Sequence, residues 1–148
     1  MMHNLALLAI LLSGGTTADG CTGFYDSFGA GCPGSGGITP TLKGLGCPVP
    51  GELTTLAVHD HAPGRPAFLL IGAGHTSLPF TPWCTLQVTD LYSPPLIPLP
   101  LSATGDTRIL GRVPQLPAPE VFLQLIILDP GAPGGFAATN PIEMNIGQ

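Results

Sequence analysis

The sequence predicts an all-β fold, a single disulfide-stapled β-sandwich or jelly roll of about seven or eight antiparallel strands. Of the 148 residues, 21 are Gly and 18 are Pro, and short runs of Leu, Ile, Val, Phe and Thr lie between these breakers. Runs of this kind, separated by turn residues, are typical of strands. The chain is 44% hydrophobic, which favours a packed core over disorder. Frequent prolines interrupt any helical period, so no helix is predicted. The sequence does not decide between a sandwich and a jelly roll.

Eight runs carry the strand prediction, and two patterns distinguish them. Alternation places Cys84, Leu86 and Val88 on one face of a half-buried strand. Residues 67–71 and 121–128 are apolar on both faces, as in central strands that are covered on each side. The predicted strands are residues 38–43, 53–58, 67–71, 84–88, 96–101, 107–110, 121–128 and 142–146.

The start of the chain resembles a secretory leader. Residues 5–12 (LALLAILL) form an apolar run, and Thr16 and Ala18 follow at the spacing that a signal peptidase reads. The first four residues lack the usual Lys or Arg. We therefore expect residues 1–18 to be a signal peptide, and a run this short predicts no membrane span.

Two further segments follow the expected leader. Residues 19–37 are Gly-rich and are predicted to form an extended N-terminal arm, whereas residues 38–148 form the β-sandwich domain. Pro98 and Pro100 cannot donate to a strand ladder, so the strand that contains them is expected at a sheet edge.

Four cysteines, an even number, lie beyond the expected leader at Cys21, Cys32, Cys47 and Cys84. In an exported chain this favours two disulfides, with three pairings possible. A zinc site is not expected, because each Cys stands alone and no C-x-x-C occurs.

The charged residues are few, with four basic against nine acidic side chains and a net charge of −5. The basic residues are scattered along the sequence, so no nucleic-acid or other polyanion site is indicated. A surface with so few charges can approach a neighbouring molecule with little desolvation cost. Self-association is therefore the expected kind of partnership.

Histidines give a weak candidate for a metal site. His59-Asp60-His61 would place both imidazoles on one face of a strand, and His75 could add a third ligand. The competing interpretation is that these are solvated residues at a strand end, before a turn. We predict no cofactor.

Catalysis has no support from the sequence, and glycan binding has some. Ser35 lies in residues 33–37 (PGSGG), which do not match G-x-S-x-G, and the acidic residues are spread singly. The chain is therefore predicted not to be an enzyme. Trp83 and Tyr92, with Phe80 nearby, could form a platform on which a sugar stacks.

A frame of short motifs resembles an uncharacterised secreted β-sandwich module that is common in exported proteins of environmental bacteria. The frame consists of residues 28–40 (FGAGCPGSGGITP), 66–72 (PAFLLIG), 84–86 (CTL), 128–130 (LDP) and 139–142 (TNPI). The resemblance extends from Phe28 to the end, and its most specific part is Cys32-Pro33-Gly34 with the later Cys84. It implies an exported β-sandwich, a Cys32–Cys84 disulfide and no catalytic residue.

This chain departs from the module in being short, in standing alone and in carrying two more cysteines. With Cys32 and Cys84 paired, Cys21 and Cys47 would form the second bridge and hold the N-terminal segment. A lone module behind a leader suggests that the domain itself is the product.

We therefore expect a secreted structural or adhesive protein, non-catalytic and self-associating, outside the cell or at its surface. It could be a subunit of an extracellular filament or surface layer, with contacts through the arm and the apolar edge strands. The alternatives are a carbohydrate-binding module that uses Trp83 and Tyr92, and a secreted metalloprotein that uses His59 and His61.

Overall fold

The computed structural model describes residues 20–92, 95–116 and 119–147, and the expected signal peptide lies outside them. The fold is all-β, as predicted, with two antiparallel sheets of seven and three strands and two disulfides. The strands are β1 (Phe24–Ser27), β2 (Thr41–Leu45), β3 (Leu53–His59), β4 (Pro66–Thr81), β5 (Cys84–Leu91), β6 (Ile97–Pro100), β7 (Thr107–Arg112), β8 (Glu120–Leu128), β9 (Phe136–Ala138) and β10 (Ile142–Asn145).

The large sheet is built around β4 and β8. Its strand order is β1-β10-β8-β4-β5, with β6 paired to β4 and β9 paired to β8. β4 is 16 residues long, and it contacts β6 along its first part and β5 along its second part. The small sheet has the order β2-β3-β7.

The core lies between the two sheets, and alternation along each strand selects the residues that enter it. From β8, Val121, Leu123, Leu125 and Ile127 are buried in the cluster that also contains residues of the small sheet. Of the residues that alternate with them, Phe122 and Ile126 belong to a second buried cluster on the outer side of the large sheet, and Gln124 is buried too. The prediction that residues 121–128 are covered on both faces is therefore confirmed.

The segment predicted as an N-terminal arm is instead part of the domain. Residues 24–27 form β1, an outer strand of the large sheet that pairs with β10. The Tyr25 ring reaches across to the small sheet, where its hydroxyl hydrogen-bonds Thr54. Gly44 provides the space for this ring, since any β-carbon at position 44 would collide with it. Burial between the sheets raises the pKa of the Tyr25 hydroxyl, against a smaller lowering by the Thr54 hydrogen bond.

Two other elements differ from the sequence prediction. β4 continues ten residues beyond its predicted end at Ile71, through a stretch with no apolar alternation. Its register with β5 shifts between His75 and Leu78 and again between Pro79 and Thr81, so β-bulges accommodate the second half. β9 has only three residues and no recognisable pattern.

The edge position expected from the prolines of the LIPLPL run is confirmed. β6 pairs with β4 alone, and Pro98 and Pro100 lie opposite Phe68 and Pro66. No helix in the described part of the chain has the length and apolar character needed to cross a membrane.

Candidate interaction surface

The two disulfides join the N-terminal segment to the rest of the domain. Cys21 pairs with Cys47 and Cys32 with Cys84, at Cα–Cα separations of 5.9 and 5.3 Å. This is the pairing that the resemblance implies. Cys32 and Cys84 are buried, and Cys32 also exchanges backbone hydrogen bonds with Ala138. Disulfides of this kind form and persist in an oxidising compartment.

Ser35 has a structural partner rather than a catalytic one. Its hydroxyl donates to the buried Asp129 carboxylate, and its backbone N–H donates to the same group at 2.7 Å. The Gly131 N–H donates to it at 3.1 Å. Burial by itself would raise the pKa of Asp129, but the hydrogen bonds from Ser35 and Gly131 outweigh it and hold the pKa below its usual value. This carboxylate therefore anchors the Gly-rich loop of residues 34–37.

Asn140 performs a similar anchoring task at the end of β1 and the start of β2. Its side-chain oxygen accepts from the Leu42 N–H at 2.9 Å, and its amide donates to Ser27 Oγ at 2.8 Å and to the Leu42 carbonyl at 3.0 Å. Several motifs of the frame, including residues 32–35, 128–130 and 139–142, thus hold the N-terminal segment against the large sheet. The polar groups of these motifs form hydrogen bonds within the domain.

The Asp129 anchor makes stability depend on pH. Folding lowers the pKa of the Asp129 carboxyl, so the ionised group stabilises the folded state. This stabilisation is fully present above the unfolded-state pKa of about 3.9, and it is lost as the pH falls through the pKa of the folded state. We expect Asp129→Asn to lower the free energy of unfolding by about 1–3 kcal/mol at neutral pH, since an amide cannot accept all three hydrogen bonds. Urea unfolding at neutral pH and at about pH 3 measures the free energy of unfolding of both proteins. The difference between variant and parent should be smaller at about pH 3. Asp60→Asn is the matched control, because Asp60 is exposed and Asn tolerates its positive φ, so its stability should stay within about 0.5 kcal/mol of the parent at both pH values. A stability difference between Asp129→Asn and the parent that does not change with pH would contradict the role of the charge.

The three histidines do not come together. His59 is exposed and lies 3.0 Å from Asp106, an interaction that lowers the pKa of that carboxyl chiefly through the hydrogen bond. His61 is buried, with Nδ1 at 2.9 Å from the Ala62 carbonyl and Nε2 at 2.8 Å from Thr107 Oγ1. His75 packs against the rings of Phe28 and Phe122 on the outer side of the large sheet.

The sequence offered two interpretations of His59 and His61, either that they share one face of a strand or that both are solvated at its end. The structure differs from both, because only His59 is exposed. β3 ends at His59, and Asp60 has a φ of 59°, so the chain turns before His61 and directs it inward. In the described ranges no three residues of the types His, Cys, Asp and Glu are grouped so that they could hold a metal ion.

The two aromatic candidates for sugar stacking lie in different environments. Trp83 is 62% exposed at the turn between β4 and β5 and packs beside Gly134. Phe80, also exposed, stacks edge-on against Phe136 with the ring centroids 5.0 Å apart. Tyr92 packs instead against the core between the sheets. Trp83 and Tyr92 therefore do not form one platform.

An apolar groove of about 410 Å³ runs along the outer face of the large sheet. Its floor is formed by side chains such as Leu70, Val88 and Ile126 of the outer cluster. Four large side chains on its walls are 39–46% exposed, namely Leu78, Phe80, Leu91 and Leu96. A groove with exposed apolar side chains on its walls is a candidate contact site.

The charged residues of the strands are divided between the two sheets. Within the described strands, the small sheet has three of the four Lys and Arg residues of the chain and no Asp or Glu. The large-sheet strands have Asp or Glu at four positions and no Lys or Arg. The cations are Lys43, Arg108 and Arg112, and the carboxylates are Asp26, Asp90, Glu120 and Glu143.

Strand alternation directs both groups away from the core. Ile109 packs into the core from β7, so its neighbours Arg108 and Leu110 face outward, and the register places Lys43 and Arg108 on either side of Ala57. We call this outer side of the small sheet the basic face. Exposed Leu53 and Leu110 lie on it too, since Leu53 is directly opposite Arg112.

The outer side of the large sheet, which includes the groove, is called the acidic face. Val121, Ile142 and Met144 enter the core, so Glu120 and Glu143 face outward. Asp26 of β1 is directly opposite Glu143 of β10, and Asp90 lines the groove. Like charges opposite each other on neighbouring strands are unfavourable unless a cation lies near them.

Comparisons of the chain with family models, with curated proteins and with solved structures find no match. The fold and its surfaces define the protein as a two-sheet, disulfide-bonded all-β protein. Its main exposed features are the basic face and the acidic face with its apolar groove. Sequence reasoning missed the division of charge, because the residues concerned are far apart in the chain and only strand pairing brings them together.

Proposed function

We propose that this protein is exported and has a structural, non-catalytic role in which its copies associate. The observation that carries the proposal is the apolar groove on the outer face of the large sheet. A β-sheet that is covered on only one side normally exposes polar residues on the other. Here the outer side exposes Leu78, Phe80, Leu91 and Leu96 around a groove that already has a buried apolar floor.

The remaining polar side chains support the same role. Ser35, Asp129, His61 and Asn140 all hydrogen-bond within the domain and attach loops to strands. The two disulfides persist under the oxidising conditions outside the cell and stabilise the domain there. These hydrogen bonds and disulfides therefore stabilise the folded domain, as a structural subunit outside the cell requires.

The test is the molecular mass of the exported, disulfide-bonded protein as a function of its concentration. Sedimentation velocity should show the average mass rising as concentration rises, or large assemblies that dissociate on dilution. Each Leu buried in a contact contributes about 1.5–3 kcal/mol. The double variant Leu78→Ser with Leu96→Ser should therefore need at least a tenfold higher concentration to associate, on the order of one factor of ten per 1.4 kcal/mol.

Ile38→Ser is the matched control, because Ile38 is as exposed as these leucines but lies outside the groove. It should associate like the parent protein. A protein that stays monomeric at every concentration, up to the solubility limit, would refute the proposed function. Equal association of the groove variant and the control would show that the groove is not the contact.

A further inference from the structure

From the division of charge we infer that copies of this chain dock through opposite faces, the basic face of one molecule on the acidic face of the next. This inference rests on the proposed function and specifies its partner as a second copy of the same chain. The partner surface is then present on every molecule, so the contact can repeat.

The first support is that Lys43, Arg108, Asp26 and Glu143 form no ion pair within the described part of the molecule, whereas Arg112 donates to the Gly51 carbonyl at 2.8 Å. The only ion pair in the described part of the chain joins His59 and Asp106, and neither belongs to the large sheet. Lys43 and Arg108 on the basic face therefore form no salt bridge, and neither do Asp26 and Glu143 on the acidic face. Asp26 and Glu143 are directly opposite each other on neighbouring strands, so a cation beside them would reduce the repulsion between like charges.

The second support is the fit of the apolar groups. Leu110 is 71% exposed and Leu53 is 61% exposed, and both project from the basic face beside cationic side chains. The acidic face has the 410 Å³ groove, which is apolar except near Thr89 and Asp90. Protruding leucines with adjacent cations on one face thus correspond to an apolar groove lined by the Asp90 carboxylate on the other, with the remaining carboxylates farther along the same face.

The third support is that pairing like faces would be unfavourable. Contact between two basic faces, or between two acidic faces, would bring charges of one sign together in a contact from which water is excluded. Contact between opposite faces avoids this. Because the two faces lie on opposite sides of the sandwich, such a contact is head-to-tail, and it produces open rows of molecules rather than a closed dimer.

The size of the contact determines its strength. Three strands about 4.8 Å apart and about six residues long present a face of roughly 300 Å². Two such faces bury roughly 600 Å² in total, well below the roughly 1,200 Å² of a stable specific complex. Each contact is therefore weak, and assembly should require a high local concentration and low to moderate salt, because salt screens the charges.

Charge reversal and mixing test the inference. The basic-face variant is Lys43→Glu with Arg108→Glu, and the acidic-face variant is Asp26→Lys with Glu120→Lys. All four side chains are exposed, so each variant should fold, which urea unfolding can verify. Each variant alone should lose association by at least about tenfold, because the two reversed side chains then meet side chains of the same sign on the unchanged face. An equimolar mixture should recover association, since the unchanged acidic face of one variant meets the unchanged basic face of the other.

Arg65→Glu is the control, because it reverses the remaining cation of the chain, in the loop before β4 and outside both faces. It should associate like the parent. If both variants associate as well as the parent, or if the mixture does not recover, the docking inference is wrong while the proposed function stands. If the parent protein itself does not associate, the proposed function is wrong, and the docking inference that rests on it is wrong as well.

Discussion

Replacing Cys32 and Cys84 together by Ala should lower the free energy of unfolding by about 4–6 kcal/mol. The bridge joins residues that are 52 positions apart, and closing a loop of that size accounts for about 4 kcal/mol through the entropy of the unfolded chain. Both sulfurs are also buried next to Ala138, so the truncated side chains leave unfilled volume, which adds to the loss. Urea unfolding of the parent and of the variant, monitored by circular dichroism, measures the difference.

The matched control is Cys21→Ala with Cys47→Ala. This bridge spans only 26 positions, and both of its cysteines are partly exposed. The same entropy argument gives about 3.5 kcal/mol, and little further loss from unfilled volume is expected. The first variant should therefore be the less stable of the two. An equal or reversed order would contradict the view that the Cys32–Cys84 bridge is part of the core.

The second large effect is expected at Gln124, a fully buried polar side chain in the central strand β8. Its Oε1 accepts a hydrogen bond from the Gln87 N–H of β5 at 2.9 Å, and its Nε2 donates to the Thr139 carbonyl at 2.9 Å. Gln87 lies where the register between β4 and β5 shifts, so its N–H is not used by the regular ladder. The side chain of Gln124 thus completes the hydrogen bonding of a β-bulge.

We expect Gln124→Leu to destabilise the protein by about 2–5 kcal/mol. Leucine has a similar volume, so the change leaves the packing almost intact but removes the partner of two backbone groups, each worth about 1–3 kcal/mol when buried and unpaired. Gln115→Leu is the control, since Gln115 is exposed, and its change should stay within about 0.5 kcal/mol. Urea unfolding of the two variants is the measurement, and equal stabilities would show that water replaces the lost hydrogen bonds.

Much of the fold could be predicted because apolar runs and turn residues are local signals. Each of the eight predicted runs overlaps a strand, although β2 begins at Thr41, three residues later than predicted. The two-sided apolar run at residues 121–128 is the central strand β8. The failures also have physical causes. The second half of β4 forms without an apolar pattern because β5 pairs with it through bulges. β1 is short, and what fixes it is the insertion of Tyr25 against Gly44, a contact between distant positions.

The candidate site was less predictable from sequence, because it depends on which strands are neighbours. Lys43 and Arg108 are 65 positions apart, and they lie on one face only because β2 and β7 both pair with β3. His59 and His61, which the sequence offered only as weak metal candidates, do not share a face for a local reason, the left-handed turn at Asp60. Alternation can assign residues to the faces of one strand, but strand order is a property of the whole chain.

The Cys21–Cys47 disulfide also has a mechanical consequence. β1 and β2 both lie between its two cysteines, so a pulling force that enters the domain at Gly20 passes through the sulfur atoms directly to Cys47. The pairing of β1 with β10 could otherwise be separated one residue at a time, and the bridge provides a covalent path that bypasses it. In an assembly under load, the oxidised domain would therefore keep its outermost strand, and stretching of single molecules before and after reduction would measure the difference in extensible length.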